Sequence, residues 1–373
     1  MEQKMNPFTY GRVVSRKNYC GRPELEAKLK ARLNASQNVY LEGERRTGKT
    51  SLIIETVGAI KSKRLIYIDL LEVRTVEDVH KRALNAIVRA EGNINLAQTI
   101  LKSMATLRPA LSFDPTTGLP SLSVNAVARL RPESLEDLLD IFSGREYKNA
   151  IVAIDEFQDI LNLPDARKVL AVMRGKIQFL HAVPFVFCGS IRGKMNAIFT
   201  DHDSPFFKSA LPIEVGPIDH ASFTNFIAKK FGEARIRTTA GMVEKILQIA
   251  KENPGDTQQF CSAVCDVTRP GDTVGETTIA EALQQIFAEE RKGYEASLAR
   301  ITSAQLKCLI AVARLGGKNT LAREFLSHTG ITQPSSVRKS LSRLEKLKIL
   351  FKAGNEYRYV NPFFAQWLVW VNY

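Results

Sequence analysis

Ten residues near the start of the chain, Gly43-Glu44-Arg45-Arg46-Thr47-Gly48-Lys49-Thr50-Ser51-Leu52, leave the least freedom in what it can fold into. The apolar run Val39-Tyr40-Leu41 precedes them, and an amphipathic run with Leu52, Ile53, Ile54 and Val57 follows. A strand, a G-x-x-x-x-G-K-T loop and a helix in that order form a phosphate loop. Its glycines let successive backbone N–H groups turn toward one anion, and the helix behind them points its positive end at the same place. Gly43, Glu44, Arg45, Arg46, Thr47, Gly48, Lys49, Thr50 and Ser51 are therefore expected to cradle the phosphates of ATP. Lys49 would reach the β- and γ-phosphate oxygens, and the Thr50 hydroxyl would join the shell of a Mg²⁺ ion.

A second run completes that chemistry. Ala150-Ile151-Val152-Ala153-Ile154 is apolar without alternation, as in a strand covered on both faces, and it ends in Asp155-Glu156. A carboxylate at that strand end can hold Mg²⁺, so Asp155 is the expected metal partner beside Thr50. Glu156, one residue further, is placed to polarise an attacking water as general base. An acidic cap on a core strand is common alone; about a hundred residues after a phosphate loop it gains a role.

The rest of the chain reads as a parallel α/β core followed by helices. Leu65–Leu70 is a buried strand, and a helix follows over 76–90. Two short alternating runs around Asp114-Pro115-Thr116-Thr117-Gly118 read as a hairpin inserted over about 107–126. A helix over 165–178 leads to the strand Val183–Cys188, with Gly189 and the small polar Ser190 at its end, and Leu211–Val215 is a last short strand. From Asp219 the pattern is helical: 220–233, 239–251, 255–267 and 277–292. Residues 303–314, 320–328 and 335–347 are three more helices, followed by short strands at 349–352 and 356–360. Three helices and a hairpin make a winged helix, whose third helix would enter a DNA major groove. On that helix Val337, Leu341, Leu344 and Leu347 form one stripe, and Ser335, Arg338, Lys339, Ser342, Arg343 and Lys346 lie largely off it.

The expected division is a leading segment at 1–36, a core at 37–218, a helical lid at 219–295 and a winged helix at 300–373. Charge follows it. The net +13 sits at the ends, with +8 in 303–373 and +5 in 1–36, leaving 37–302 neutral. Basic ends on a neutral core suit a polyanion such as double-stranded DNA, and equally a solvated surface. No stretch approaches the roughly 20 apolar residues of a membrane helix, so no membrane partner is expected. Five cysteines scattered in apolar contexts fit buried thiols in a reducing cytoplasm.

Taken together, Asn6-Pro7-Phe8, Tyr10-Gly11, Gly21-Arg22, the loop at 43–50, Asp155-Glu156-Phe157-Gln158, Gly189-Ser190, Ser204-Pro205-Phe206-Phe207-Lys208 and Asn361-Pro362-Phe363-Phe364 resemble the archaeal-type ATP-binding proteins of the AAA+/STAND branch of P-loop ATPases. The layout is similar to that of replication-initiator ATPases. The resemblance implies that Gly21 and Arg22 lie near the adenine and that Ser190 is a polar sensor near the γ-phosphate; Arg192, just beyond it, is the nearest candidate for a phosphate-sensing cation, and equally an arginine that sits in water. It also implies ATP hydrolysis. Two departures point to a slow rate: Gly255-Asp256-Thr257-Gln258-Gln259 lacks the arginine that relatives carry on the lid, and Lys208 stands where they often have another. An arginine at the transition state is worth about 10³–10⁵ in rate. Two outputs stay open. One is an ATPase whose nucleotide state governs DNA binding; the other is a STAND-type switch with a protein partner, the winged helix acting as a gate. Nucleotide-dependent homo-oligomerisation is compatible with both. A phosphotransferase fits less well, since no acceptor site is evident.

Overall fold

The computed structural model describes residues 6–14, 16–91, 109–113, 120–124, 130–190 and 192–371. The chain forms two compact units, Ser15–Gly216 and Met1–Val14 with Pro217–Tyr373.

The first unit runs α1 (Pro23–Asn34), β1 (Val39–Glu42), α2 (Lys49–Gly58), β2 (Arg64–Asp69), α3 (Val76–Glu91), β3 (Pro109–Phe113), β4 (Pro120–Val124), α4 (Ser134–Asp140), β5 (Ala150–Asp155), α5 (Ala166–Ile177), β6 (Phe185–Gly189), α6 (Arg192–Phe199) and β7 (Leu211–Glu214). Five strands form one parallel sheet in the order β2, β5, β6, β1, β7. Strand alternation sorts its core into two layers. Ile151, Ala153, Val186 and Cys188 face Leu29 and Leu33 of α1 and Leu52, Ile53 and Val57 of α2. Val152, Ile154, Phe185 and Phe187 face the opposite side, against α3, α4 and α5. Covered on both faces, β5 and β6 are buried along their whole length, which is why they read as unbroken apolar runs. Phe157, Phe187, Phe199 and Phe206 pack with ring centroids 4.6 to 5.9 Å apart beneath the end of β6. That cluster anchors the Ser204–Lys208 segment through buried Phe206 while Lys208 stays exposed. β3 and β4 pair antiparallel, Phe113 opposite Pro120, and the residues joining them lie outside the described residues.

The second unit contains α7 (His220–Glu233), α8 (Ala240–Ile249), α9 (Pro254–Val267), α10 (Glu276–Leu298), α11 (Ser303–Leu315), α12 (Arg323–Thr329), α13 (Pro334–Lys346), β8 (Leu350–Ala353), β9 (Glu356–Tyr359) and α14 (Pro362–Trp370). Several helices start on side-chain caps: Asp219 accepts the Ser222 amide at 2.9 Å, and Asn253 accepts that of Gly255 at 3.1 Å. The helices α11, α12 and α13 with the β8–β9 hairpin form the winged helix. The further helix α14 buries Phe363, Phe364, Trp367 and Leu368. It lies on α10, where Phe364 stacks on Tyr294 at 4.8 Å and Trp367 sits 5.2 Å from the same ring. Glu290 of α10 ties the junction together. It accepts hydrogen bonds from Gln259, from the Tyr294 hydroxyl at 2.8 Å and from the Asn361 amide.

The leading segment divides between the units. Asn6 donates to the Ser262 carbonyl at 3.1 Å and to the Asp266 carboxylate at 2.8 Å on α9, and Phe8 packs on Phe231 of α7 at 4.7 Å. Residues 16–36 instead belong with the sheet: Arg16 donates its amide to Glu55 of α2 at 2.8 Å.

Candidate nucleotide-binding site

In an open parallel sheet, ligands bind beyond the carboxyl ends of the strands where the strand order reverses. Here those ends belong to β1, β5 and β6, and the register sets Glu42 of β1 beside Gly189 of β6 and Glu214 of β7. The loop after β1 is shaped by its surroundings. A Cβ on Gly43 would fall 2.5 Å from the Val215 carbonyl oxygen, so only glycine fits there. Gly48 sits at φ +85°, in the left-handed region, and Arg46 joins it at φ +63°. The Thr47 hydroxyl closes the loop on the Glu44 carbonyl at 2.9 Å. No side chain of Gly48 can cap α2, and the start of that helix is the end that suits an anion. The Lys49 ammonium is buried and donates to the carbonyls of Gly43 at 2.9 Å and Glu44 at 2.7 Å. It has three donors, so a third remains for a phosphate oxygen. Ser51 is buried at the root of α2, while Arg45 and Arg46 are exposed.

Asp155 meets this loop from the end of β5. Its Oδ2 accepts the Thr50 hydroxyl at 2.8 Å and the Tyr67 hydroxyl, and its Oδ1 accepts the Glu156 amide at 2.9 Å. Burial and then the Asp155 charge push the Tyr67 phenol well above its ordinary pKa, so it remains a protonated donor near neutrality. The same causes in the same order raise the Cys188 thiol beside Asp155. Glu156 turns sharply out of the strand at φ +49°. Its Oε2 accepts the Ser190 hydroxyl at 2.9 Å and the Gln158 amide. The structure thus draws Lys49, Thr50, Asp155, Glu156 and Ser190 into one cluster from positions up to about 140 residues apart.

Thr50 and Asp155 are hard oxygen donors side by side, which suits Mg²⁺, an ion that takes one or two protein groups and completes its shell with phosphate and water. Among the described residues no group of three or more His, Cys, Asp or Glu could hold a metal ion by itself.

Arg22 does lie against the loop, but its buried guanidinium donates to the Thr47 carbonyl at 2.8 Å and to the Gly216 carbonyl. Gly21 is exposed just ahead of α1. The Arg192 side chain lies outside the described residues. On α9, Asp256, Thr257, Gln258 and Gln259 are all buried. On α13 the inward stripe is Val337, Ser340, Leu341 and Leu344, while Ser335, Arg338, Lys339, Arg343 and Lys346 are exposed and Ser342 is half-buried. Tyr67 was missed from sequence, and Gln158 stood in the resemblance motif without a role of its own. Tyr67 looks like an ordinary strand aromatic; only the neighbouring of β2 and β5 aims it at Asp155.

Comparison with known proteins agrees with this architecture. Residues 292–370 match the family model described as a probable winged helix domain. No curated protein matches the chain by sequence. Among solved structures, a Walker-type ATPase of Pyrococcus abyssi superposes with a TM-score of 0.67 at 21% identity, covering 97% of this chain and 99% of that one. The ORC2 protein of Aeropyrum pernix, solved as ADPNP-ADP complexes, gives 0.54 at 16% identity, with 94% and 92% covered. The ORC1 protein of Aeropyrum pernix in complex with DNA gives 0.51 at 15% identity, with 93% and 91% covered. The fold is that of a P-loop ATPase core with a C-terminal winged helix.

Proposed function

We propose that the chain is an ATP-binding, slowly hydrolysing switch of the AAA+/STAND kind that couples its nucleotide state to double-stranded DNA through the winged helix. The observation that carries the nucleotide half is the joining of loop and strand end: Thr50 to Asp155, and Ser190 to Glu156. In this reading Lys49 and the loop amides hold the phosphates, Thr50 and Asp155 hold Mg²⁺, and Glu156 takes a proton from the attacking water. Bound Mg²⁺ would supply charge neutralisation on the phosphates. Ser190 and Gln158 orient Glu156. The working parts are a core at 37–218, a lid at 219–295 and a winged helix at 300–373, with the leading residues 1–36 shared between the units. Among the described residues no helix is long and apolar enough to cross a membrane, which suits the cytoplasmic setting we assign. Purified protein should release phosphate from ATP with no acceptor added, and Glu156→Gln should hold ATP without turning it over. Unimpaired turnover in Glu156→Gln would remove it as the base.

The DNA half rests on the exposed cations of α13 and on the likeness to a fold solved with DNA bound. Affinity for duplex DNA should fall with salt, and replacing Arg338, Lys339 and Arg343 by Ala should lower the log–log salt slope by about one per lost phosphate contact. An unchanged slope would sink it. A protein-gated switch is favoured by a different observation: α14 and Glu290 weld the winged helix to α10, so it is no free module on a linker. In that case oligomer size should change between ADP and a non-hydrolysable ATP analogue without DNA, and an unchanged size counts against it.

A further inference from the structure

We propose that Tyr67 is a positioning residue of the nucleotide site: it locks the Asp155 carboxylate so that the Thr50 hydroxyl spends its proton there and keeps its lone pairs for the metal. The inference rests on the nucleotide reading above and deepens it.

Sheet order puts Tyr67 where it is needed. β2 is the edge strand next to β5, and Tyr67 is paired with Ala153. Side chains alternate along strands, so Tyr67, Ala153 and Asp155, two residues beyond Ala153, share one face of the sheet. That is the face covered by α2, whose second residue is Thr50. A phenol is long enough to reach the diagonal neighbour, and its hydroxyl donates to Asp155 Oδ2.

The consequence is geometric. Asp155 Oδ1 is held by the Glu156 amide, and Oδ2 by both Thr50 and Tyr67. The Glu156 amide and the Tyr67 phenol thus hold the two oxygens independently of Thr50, and the carboxyl plane is fixed by groups that take no part in holding the metal. A threonine hydroxyl has one proton and two lone pairs. Once the proton is committed to a fixed carboxylate, the lone pairs are committed too, away from β5 and toward the loop. Without the phenol, the Glu156 amide on Oδ1 is the one hold independent of Thr50, and the carboxylate and Thr50 could swing together about it. Outer-shell partners of this kind typically change metal affinity by about 10–100-fold. The plain alternative is that Asp155 merely satisfies a half-buried phenol.

Tyr67→Phe tests it, because the ring and its packing remain. A fluorescent ATP analogue is titrated in EDTA, and Mg²⁺ is then titrated into the protein–analogue complex, with Mn²⁺ followed by electron paramagnetic resonance as a second readout. We expect the metal to bind about 10-fold more weakly while analogue affinity in EDTA stays within about twofold. In the Asp155→Asn background the Tyr67→Phe change should add nothing. Unchanged metal affinity in Tyr67→Phe, or equal weakening with and without metal, overturns the positioning role while the nucleotide reading stands. Wild type that binds no analogue at all overturns both.

Discussion

Each unit holds carboxylates bound by hydroxyl and amide donors, and the chemistry is nearly the same. Asp155 and Glu156 accept from Thr50, Tyr67, Ser190 and Gln158. Glu290 accepts from Tyr294, Gln259 and Asn361. What differs is the backbone beside them. Next to Asp155 runs a loop with Arg46 and Gly48 in left-handed conformations, leading into a helix with no side-chain cap, the kind of backbone that binds anions. Around Glu290 the donors come from α9, α10 and the cap of α14, a helix whose own first amides are taken by Asn361 at 2.9 and 3.4 Å. The first arrangement adjoins a phosphate loop; the second closes among α9, α10 and the cap of α14 and serves as a joint. A polar cluster reads as a candidate site when an anion-binding backbone adjoins it.

Removing the Lys49 ammonium should break the first region most. Lys49→Ala is expected to weaken nucleotide binding on the order of 100-fold, as the loss of a charge-assisted contact would. Glu290→Ala should leave it unchanged; fluorescence titration of both variants measures the contrast directly. Should Glu290→Ala match Lys49→Ala, the comparison fails.

Acid should act on the sheet unit through His80, which is fully buried, with its Nε2 2.8 Å from the Ser134 hydroxyl. Burial lowers its pKa from 6.5 to about 4. The unfolded chain then binds a proton between those values that the folded chain refuses, so the neutral ring's contribution is full above 6.5 and is lost as pH falls toward 4. The loss amounts to about 3 kcal/mol. Chemical denaturation of the wild type across that window, compared with a His80→Gln variant, should show a shallower acid loss in the variant.

The smallest effect expected is at the Glu290 joint. Asn361→Ala removes both a donor to Glu290 and the cap of α14, which should lower the stability of the helical unit by about 1–2 kcal/mol. Nucleotide affinity should not move. Hydrogen exchange confined to α10 and α14 would sharpen the assignment, and a shift in nucleotide affinity would contradict it.

These contrasts also explain what could be read from the chain alone. The loop, Asp155 and Glu156 were legible because local backbone rules and one buried strand place them, with little help from tertiary structure. Ser190 stands at the end of an apolar run, but only the family resemblance gave it a role there. Tyr67 was not legible, because its partner depends on which strand lies beside β2, and that is decided by the crossover helices. The cap and proline that open α14, Asn361-Pro362, were visible in the sequence and would have announced the helix. The division of the leading segment left no local trace: Asn6 and Phe8 find their partners on α9 and α7, more than two hundred residues away. Arg22 stands against the loop through the Thr47 and Gly216 carbonyls, contacts that only the folded chain brings together.

That guanidinium has a mechanical consequence. Gly216 is the last residue of the sheet unit, and the chain passes to the other unit at Pro217. Arg22 grips its carbonyl with one nitrogen and the phosphate loop's Thr47 carbonyl with another, while Gly43 lies hard under the Val215 carbonyl. The grip and the exit are thus rivetted to one rigid plane. A ligand that shifts the Thr47 backbone must either move the Gly216 carbonyl with it or break one of the two Arg22 hydrogen bonds.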